Sequence, residues 1–346
     1  MTPIPKKSGI VQVAKLARVS PMTVTRTLNN SAPVAEATRK RVLEAASKLG
    51  YTPDPFARAL RGCKTKSIGI LWGLCGPHSS TGIIREMAWL LHQRGYFTYI
   101  NDNFGDKETI IRTLSEYVER RVDGLIFSAR HQHILKDNEI TGLLRNIPAV
   151  VVESPEDHNW KCDKLILDYY KSVEDIADHF VKTGKKRPVV ITDYISLLSR
   201  IEVFRKRLEY HGIMGDCFIQ RSPPDAYQVG DSFVKGLLSK YPEGKYPFDA
   251  VWASCDEGAA ALINHFEKSG YRVPEDIAVV GFNNNETSQY MTPPLASVER
   301  MNDKVMSSII RMLLNRIENP GSDLAKETIH MEFIPRKSAG KKGVSR

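Results

Sequence analysis

The chain has 346 residues, of which 42% are hydrophobic and 26% charged, and its formal net charge is +9. This length predicts two or three domains rather than one small domain. No segment approaches the roughly 18 consecutive apolar residues of a membrane-spanning helix, and no apolar stretch near the N-terminus predicts a secretion signal. We therefore expect a cytoplasmic protein with no membrane partner.

The positive charge is concentrated at one end of the chain. Residues 1–66 contain thirteen lysines and arginines against three carboxylates, whereas the remaining residues carry a net charge of −1. A basic segment joined to a nearly neutral remainder is typical of a protein that binds nucleic acid through that segment. A solvated basic tail is the alternative interpretation. The five cysteines have no CxxC spacing, which favours reduced thiols and predicts no metal site.

Residues 11–30 predict two short helices joined by a tight turn. Apolar side chains recur there at helical spacing, and we expect them to form the core that the two helices share: they are Val13, Leu16, Ala17, Val24 and Leu28. Ser20 is placed to cap the second helix, and Pro21 suits its first position. This is the layout of a helix-turn-helix, whose second helix enters the major groove of DNA.

A third helix is predicted over residues 37–49, where Val42, Ala45, Ala46 and Leu49 form one apolar stripe. Residues 54–62 then predict a helix of about two turns, too short to be stable alone in water. A linker bounded by prolines is the alternative for that segment.

From Ser67 onward, apolar strands alternate with helices, a pattern that predicts doubly wound parallel sheets covered by helices. The predicted strands cover 68–74, 97–101, 124–128, 149–153, 165–168, 189–193, 250–255 and 277–282. Ligands of such sheets bind beyond the carboxyl ends of the strands. Candidate ligand-binding residues are therefore those that follow each strand.

Three groups of residues occur in an order that is specific as a set. They are Val13-Ala14, Val19-Ser20, Thr23-Val24, Arg26 and Leu28-Asn29; then Tyr51, Pro53, Ala57, Arg58 and Leu60; and finally Arg121–Ile126, Arg272–Phe282 and Pro293–Leu295. With these residues the chain resembles the lactose-repressor/galactose-repressor family of bacterial transcription regulators over nearly its whole length.

The resemblance implies an α/β protein with an N-terminal three-helix helix-turn-helix head and a hinge helix, followed by a two-lobed, doubly wound, periplasmic-binding-protein-like body. The expected domains are a head over 1–53, a hinge helix over 54–62, and an effector-binding and dimerisation domain over 66–338. Its N-lobe is expected to comprise 66–160 and 296–320, and its C-lobe 163–292 and 326–338. The chain would then cross between lobes near 154–163, 290–296 and 319–326.

The implied partners are double-stranded operator DNA, a small-molecule effector and a second copy of the chain. Because no heptad repeat follows the last predicted strand, we expect a homodimer.

The resemblance also implies which residues contact DNA. The set comprises Pro21, Met22, Thr23, Arg26, Asn29, Ala57, Arg58 and Leu60. Arg26 could bind guanine O6 and N7 with two of its guanidinium nitrogens, or a phosphate instead. Leu60 could wedge into a base step in the minor groove, or pack between domains. Two residues depart from the family pattern: Gln12 stands where the family usually has Asp, and Arg18 stands in a turn where a left-handed conformation costs about 1 kcal/mol.

The implied effector-binding set lies at strand ends and lobe crossings. It comprises Gly73, Leu74, Ser128, Glu153, Arg200, Asp225, Cys255, Asn283 and Arg300. Asn283 replaces the family's usual acid and Arg300 adds a cation, which favours an anionic sugar derivative. A neutral sugar held by Glu153 and Arg200 remains the alternative. The neighbouring Asp256 is expected to cap the next helix.

Two other classes of protein share part of this pattern. A periplasmic solute-binding protein has such a body but needs a secretion signal and no basic head. An enzyme on this body needs a catalytic constellation, and the sequence contains no glycine-rich phosphate loop after a strand, no GxSxG motif and no metal-spaced His/Cys group. We therefore expect a transcription regulator, in the form of a repressor, with no cofactor and no enzymatic activity.

Overall fold

The computed structural model describes residues 9–29, 32–51, 64–73, 81–102, 106–128, 137–153, 160–192, 198–214, 216–219 and 229–340. The chain divides into two compact units, residues 1–65 and residues 66–346. We call these units the head and the body, and each is described by itself.

The head contains three helices: α1 (Ile10–Ala17), α2 (Pro21–Asn29) and α3 (Glu36–Lys48). Its small core consists of Val13, Ala14, Ala17, Val24, Val42, Ala45 and Ala46, with Leu28 and Leu49 packed at the edge. Leu16 was predicted to belong to this core, but its side chain is 50% exposed. The buried stripe of α1 runs instead through Ile10, Val13, Ala14 and Ala17, at spacings of three and four residues, and leaves Leu16 on the flank of the helix.

The larger sheet of the body has six parallel strands among the described residues. The strands are β1 (Ser67–Trp72), β2 (Phe97–Asp102), β3 (Gly124–Ser128), β4 (Ala149–Glu153), β5 (Asp163–Asp168) and β11 (Lys326–His330), in the spatial order β11-β5-β4-β3-β1-β2. The helices of this part are α4 (Thr81–His92), α5 (Lys107–Glu119), α6 (Asn138–Leu144) and α11 (Asp303–Glu318). Successive residues of β3 point into different cores, Ile126 into one and Leu125 and Phe127 into the other, as expected for a sheet covered on both faces.

A second parallel sheet has the order β7-β6-β8-β9. Its strands are β6 (Pro188–Thr192), β7 (Asp216–Ile219), β8 (Ala250–Ala253) and β9 (Ala278–Val280). The helices of this part are α7 (Tyr170–Lys182), α8 (Leu198–Tyr210), α9 (Val229–Lys240) and α10 (Asp256–Lys268). Two short strands, β10 (Ser297–Glu299) and β12 (Glu332–Ile334), pair antiparallel, and Ala296 bridges to Val280 at the edge of this sheet.

The strand pairing corrects the expected lobe boundaries. β5 and β11 were assigned to the C-lobe, but β5 pairs with β4, and β11 pairs with β5, within the N-lobe sheet. The crossings therefore lie at Tyr169, at residues 300–302 and at Met331, rather than near 154–163, 290–296 and 319–326. The apolar pattern of a strand predicts its burial but not which sheet it joins, since a strand of either lobe is buried on both faces.

Candidate functional site

The turn between α1 and α2 has a left-handed residue. Arg18 adopts φ 53° and ψ 50°, and its N–H donates to the carbonyls of Ala14 and Lys15. The backbone N–H of Val19 donates to Ala14 O at 3.0 Å and closes the turn. The conformation expected for Arg18 is confirmed, and a non-glycine residue in it carries a strain of about 1–2 kcal/mol. Gln12, the other departure from the family pattern, supports α1 by accepting the Gly9 N–H at 2.9 Å.

The second helix begins as predicted. The Oγ of Ser20 accepts the N–H of Thr23 at 3.1 Å, and Pro21 is the first helical residue. The Thr23 hydroxyl lies 2.9 Å from Ser20 Oγ, and the Thr25 hydroxyl donates to Pro21 O at 3.0 Å. Both hydroxyls are thus hydrogen-bonded within the head.

The outward side of α2 presents the side chains expected to face base edges. Pro21, Met22 and Arg26 are exposed, and Met22 is 60% accessible. Between Gly9 and Asn29, the last residue of α2, the chain carries three cations and no carboxylate. A phosphate backbone can therefore approach this surface without repulsion. The hinge residues Ala57, Arg58 and Leu60 lie outside the described residues.

In the body, three of the candidate effector residues lie at carboxyl ends of N-lobe strands. Gly73 follows β1 and is buried, Ser128 ends β3 and is 2% exposed, and Glu153 is the last residue of β4. Ser128 and Glu153 end strands that are direct neighbours in the sheet, so the edge expected to face a ligand does bring them close. Leu74, Asp225 and the side chain of Glu153 are outside the described part of the chain.

Arg200 is held over two aromatic rings. Its guanidinium carbon lies 3.5 Å from the ring centroid of Tyr169 and 4.8 Å from that of Phe282. Tyr169 is the residue at which the chain first crosses between the lobes, and Phe282 follows β9. A cation stacked on rings in this way gains attraction from their π-electrons and keeps a fixed orientation. Tyr169 was not predicted, although an aromatic residue directly after a predicted strand is a usable signal.

The loop after β9 is conformationally unusual. Asn283 has φ 110° and Asn284 has φ 51°, and both are positive. The Asn284 amide donates to Glu299 Oε1 at 3.2 Å, and Asn302 donates to Glu299 Oε2 at 3.3 Å. Glu299 therefore places a carboxylate beside Arg300 at the lobe crossing. This carboxylate offsets part of the positive charge that Arg300 brings to the crossing.

Asp256 holds the loop after β9 in place through hydrogen bonds to its carboxylate. Its carboxylate accepts the hydroxyls of Ser288 and Ser297, at 2.8 and 2.5 Å, and the backbone N–H of Asn285 at 2.6 Å. Burial raises the pKa of Asp256, and these hydrogen bonds oppose that increase. The expectation that Asp256 caps α10 is wrong, because the cap is Cys255, whose Sγ accepts the N–H of Gly258 at 3.4 Å. The Asp256 carboxylate turns inward to donors from two other segments.

A cavity of about 540 Å³ opens between α4 and the loop after β9. Its lining residues are Gly82, Ile83, Arg85, Glu86, Asn283, Asn284, Asn285, Glu286, Thr287, Met301 and Met306. The volume lies within the range of about 300–1,000 Å³ typical of small-molecule sites. Among the predicted effector residues that the structure describes, only Asn283 belongs to this lining, whereas Arg85 and Glu86 were not predicted.

No described helix has the length and apolarity needed to cross a membrane. Within the same residues, no cluster of three or more His, Cys, Asp or Glu side chains has an arrangement that could hold a metal ion.

A helix-turn-helix head joined to a two-lobed body with a cavity at its strand ends defines the class of effector-binding transcription regulators. Residues 10–54 match the model described as bacterial regulatory proteins, lacI family, and residues 177–339 match that of a periplasmic binding protein-like domain. The chain thus has a lacI-family helix-turn-helix domain and a periplasmic binding protein-like domain, in line with its resemblance to the lactose-repressor/galactose-repressor family.

Relatives extend over nearly the whole chain. The HTH-type transcriptional repressor PurR of Aliivibrio salmonicida is 29% identical over 341 residues, covering 96% of this chain and 99% of that protein. The ribose operon repressor of Escherichia coli is 28% identical over 317 residues, covering 89% and 92%. A crystal structure of the lac repressor dimer bound to operator and the anti-inducer ONPF shares the fold, with a TM-score of 0.80 at 22% identity, covering 96% of this chain and 99% of that one.

Proposed function

We propose that this protein is a homodimeric repressor that reads a near-palindromic operator through α2 and is controlled by a small molecule bound between the lobes. One observation carries the proposal: α2 presents Met22 and Arg26 outward from a capped, carboxylate-free helix pair, in a chain whose body has a cavity at the lobe crossing. The protein acts by binding and not by catalysis, in the cytoplasm, where its DNA is.

In this proposal Arg26 is the principal base-reading residue. Its guanidinium donates to guanine O6 and N7, while Pro21 and Met22 make apolar contacts such as those with a thymine methyl. Asn29, at the end of α2, and Thr23 lie beside the phosphates. The hinge residues Ala57, Arg58 and Leu60 bind in the minor groove, where Leu60 wedges into a base step.

An exposed apolar surface supports the dimer. Trp89 on α4 and Phe97 and Ile100 on β2 are 58%, 64% and 44% exposed. β2 is also the edge strand of the N-lobe sheet. Large apolar side chains grouped at a sheet edge favour contact with another protein surface, and the lac repressor structure named above is a dimer.

For the effector we propose a sugar or a sugar derivative, with an anionic one favoured. Arg200 is fixed over Tyr169 and Phe282, and Arg85 and Arg300 add cations near the crossing. Glu86 and Glu299 also supply carboxylates that can accept sugar hydroxyls, so neutral sugars are the second candidate class. One relative named above is a ribose operon repressor, which supports a sugar-like ligand.

The test of DNA reading compares Arg26→Ala with Arg41→Ala. Both arginines are exposed in the head, but Arg41 lies on α3. On a duplex selected by the wild-type protein from a randomised library, Arg26→Ala is expected to weaken binding of the dimer at least about 30-fold, because each of the two heads loses a bidentate base contact worth about 1–3 kcal/mol. Binding is measured by fluorescence anisotropy, and Arg41→Ala is expected to change it little.

Repeating the selection with the Arg26→Ala protein separates base reading from phosphate contact. A relaxed preference at one base pair supports base reading, whereas an unchanged preference with uniformly weaker binding contradicts it. Isothermal titration with neutral and anionic sugars then tests the effector class, and a uniform preference for neutral sugars excludes the anionic form.

A further inference from the structure

A row of exposed cations lies along one edge of the N-lobe sheet, which we call the basic edge. Each cation stands at the amino end of a strand or in the turn that precedes it. In spatial order across the sheet they are Lys326, Lys161, Arg145, Arg120 with Arg121, Lys66 and Arg94. Because the amino ends of parallel strands meet at one edge of a sheet, the topology gathers residues that are far apart in the sequence.

The spacing of this row suits an extended anion. Six strands spaced about 4.8 Å apart cover about 24 Å. One strand of B-DNA has a phosphate every 3.4 Å along the axis, so about seven phosphates cover the same length. A single small anion needs only two or three of these cations.

Several of these cations are not neutralised by a carboxylate. Lys66, Arg94, Arg120, Arg145 and Lys161 form no ion pair with any described residue. Lys66 and Arg120 instead lie over tyrosine rings, at 4.5 and 5.5 Å, and Arg94 donates to a backbone carbonyl at 2.7 Å.

Carboxylates near the edge are fewer than its cations. Glu119, Glu318 and Asp323 are exposed there, and Asp123 accepts the backbone N–H of Lys66 at 2.9 Å. The buried Asp163 is already bound to Arg316, at 2.6 Å. The edge as a whole is therefore positive, although residues 67–346 carry a net charge of −1.

A cavity of about 220 Å³ lies in the same edge, between the amino ends of β4 and β5. Its lining includes Arg145, Asn146, Lys161 and Arg316. Arg316 is engaged by Asp163 and by the carbonyls of Ser322 and Asp323. Arg145 and Lys161 are thus the two cations of this cavity that can meet a phosphate group.

We propose that the basic edge binds the sugar-phosphate backbone of the DNA that flanks the site read by the head, with Arg145 and Lys161 as its central contacts. The proposal rests on the proposed function, since it requires that the head first holds the DNA. Chain connectivity supports it, because the segment leaving the head enters the body at Lys66, a member of this row. The fifteen residues from Thr52 to Lys66 span at most about 50 Å, so flanking DNA is within reach.

The experiment compares two lengths of the duplex selected by the wild-type protein. One is trimmed to the selected site, and the other extends by about 15 base pairs on either side, which adds about 50 Å per side at 3.4 Å per step. The variant combines Arg145→Gln with Lys161→Gln. Its matched control combines Lys235→Gln with Lys268→Gln, which removes two exposed charges from α9 and α10 of the C-lobe.

Binding is measured at several salt concentrations. The wild-type protein and the control are expected to bind the longer duplex more tightly and with a steeper salt dependence. The Arg145/Lys161 variant is expected to lose roughly 3- to 10-fold or more in affinity for the longer duplex. It is also expected to lower the slope of log K against log salt by about 2–4, at about 0.9 for each of the two to four phosphate contacts that the two protomers lose. Its binding to the trimmed duplex stays at the wild-type level.

Equal slopes for the variant and the wild type on the longer duplex overturn the proposal. A second outcome also overturns it: the two duplexes are bound alike, and millimolar inorganic phosphate raises the melting temperature of the wild-type protein but not of the Arg145/Lys161 variant. The basic edge is then a site for small anions. If the wild-type protein selects no duplex from the library, the proposed function is overturned as well. Unchanged circular dichroism of both double variants verifies that they are folded.

Discussion

In the head, the outward positions of the α2 side chains are set by residues within a turn of the helix. In the body, the residues around the lobe crossing are held by groups from distant parts of the chain. Met22 and Arg26 project from a helix whose cap, Ser20, lies within one turn. By contrast, Asp256 bonds to Ser288 and Ser297, and Arg200 stacks on Tyr169 and Phe282. The head can therefore change its base-reading residues with little effect on folding, whereas changes in the cleft also alter the stability of the body.

The largest effect is expected from Asp256→Ala. The substitution removes three hydrogen bonds and leaves two buried hydroxyls and a backbone N–H without their acceptor, so we expect a loss of about 3–5 kcal/mol in the free energy of unfolding. The measurement is urea unfolding followed by tryptophan fluorescence, which reports on the body alone because all four tryptophans lie in it.

Asp231→Ala is the matched control, since Asp231 is an exposed carboxylate in the first turn of α9. It is expected to change stability by less than about 0.5 kcal/mol. A loss below about 1 kcal/mol for Asp256→Ala contradicts the interpretation that this carboxylate holds the loop after β9 in place.

A smaller effect is expected from Gly281→Ala. A Cβ at Gly281 would clash with Asp256 Oδ1 and lie 3.1 Å from a methyl carbon of Leu295, so it forces the network apart. We expect a loss of about 1–3 kcal/mol in the same urea measurement. Gly142→Ala on α6, where a Cβ meets no atom within 4 Å, should instead stabilise the body by up to about 1 kcal/mol. Equal changes in the free energy of unfolding for both substitutions would contradict the view that Gly281 lies against a tightly packed hydrogen-bond network and Gly142 on an ordinary surface.

The smallest effect is expected in the head, from Arg18→Gly. Glycine adopts the left-handed turn without strain but gains freedom in the unfolded chain, so the net stabilisation is about 0.5–1 kcal/mol. Hydrogen exchange of the α1 and α2 amides in the full chain should slow about 2- to 5-fold, with no change in the body. Lys15→Gly inside α1 is the control and should speed the exchange. Changed protection in the body would contradict the independence of the head.

The features that the sequence predicts correctly are those set by residues close together in the chain. The cap at Ser20, the left-handed turn at Arg18 and the bounds of β3 and β4 agree with the structure, since caps, turns and apolar runs depend on neighbouring residues. The prediction failed for Leu16, because a helix of eight residues with several apolar side chains has more than one candidate buried face.

The chain by itself determined a basic helix-turn-helix head, an alternating α/β body and the resemblance to one family of regulators. Only the tertiary structure decided that β5 and β11 join the N-lobe sheet, that Cys255 and not Asp256 caps α10, and that cations from six strand ends form one edge. The physical reason is the same in each case. Helices, caps and strands follow from interactions a few residues apart, whereas sheet order and buried hydrogen bonds depend on which distant segments pack together.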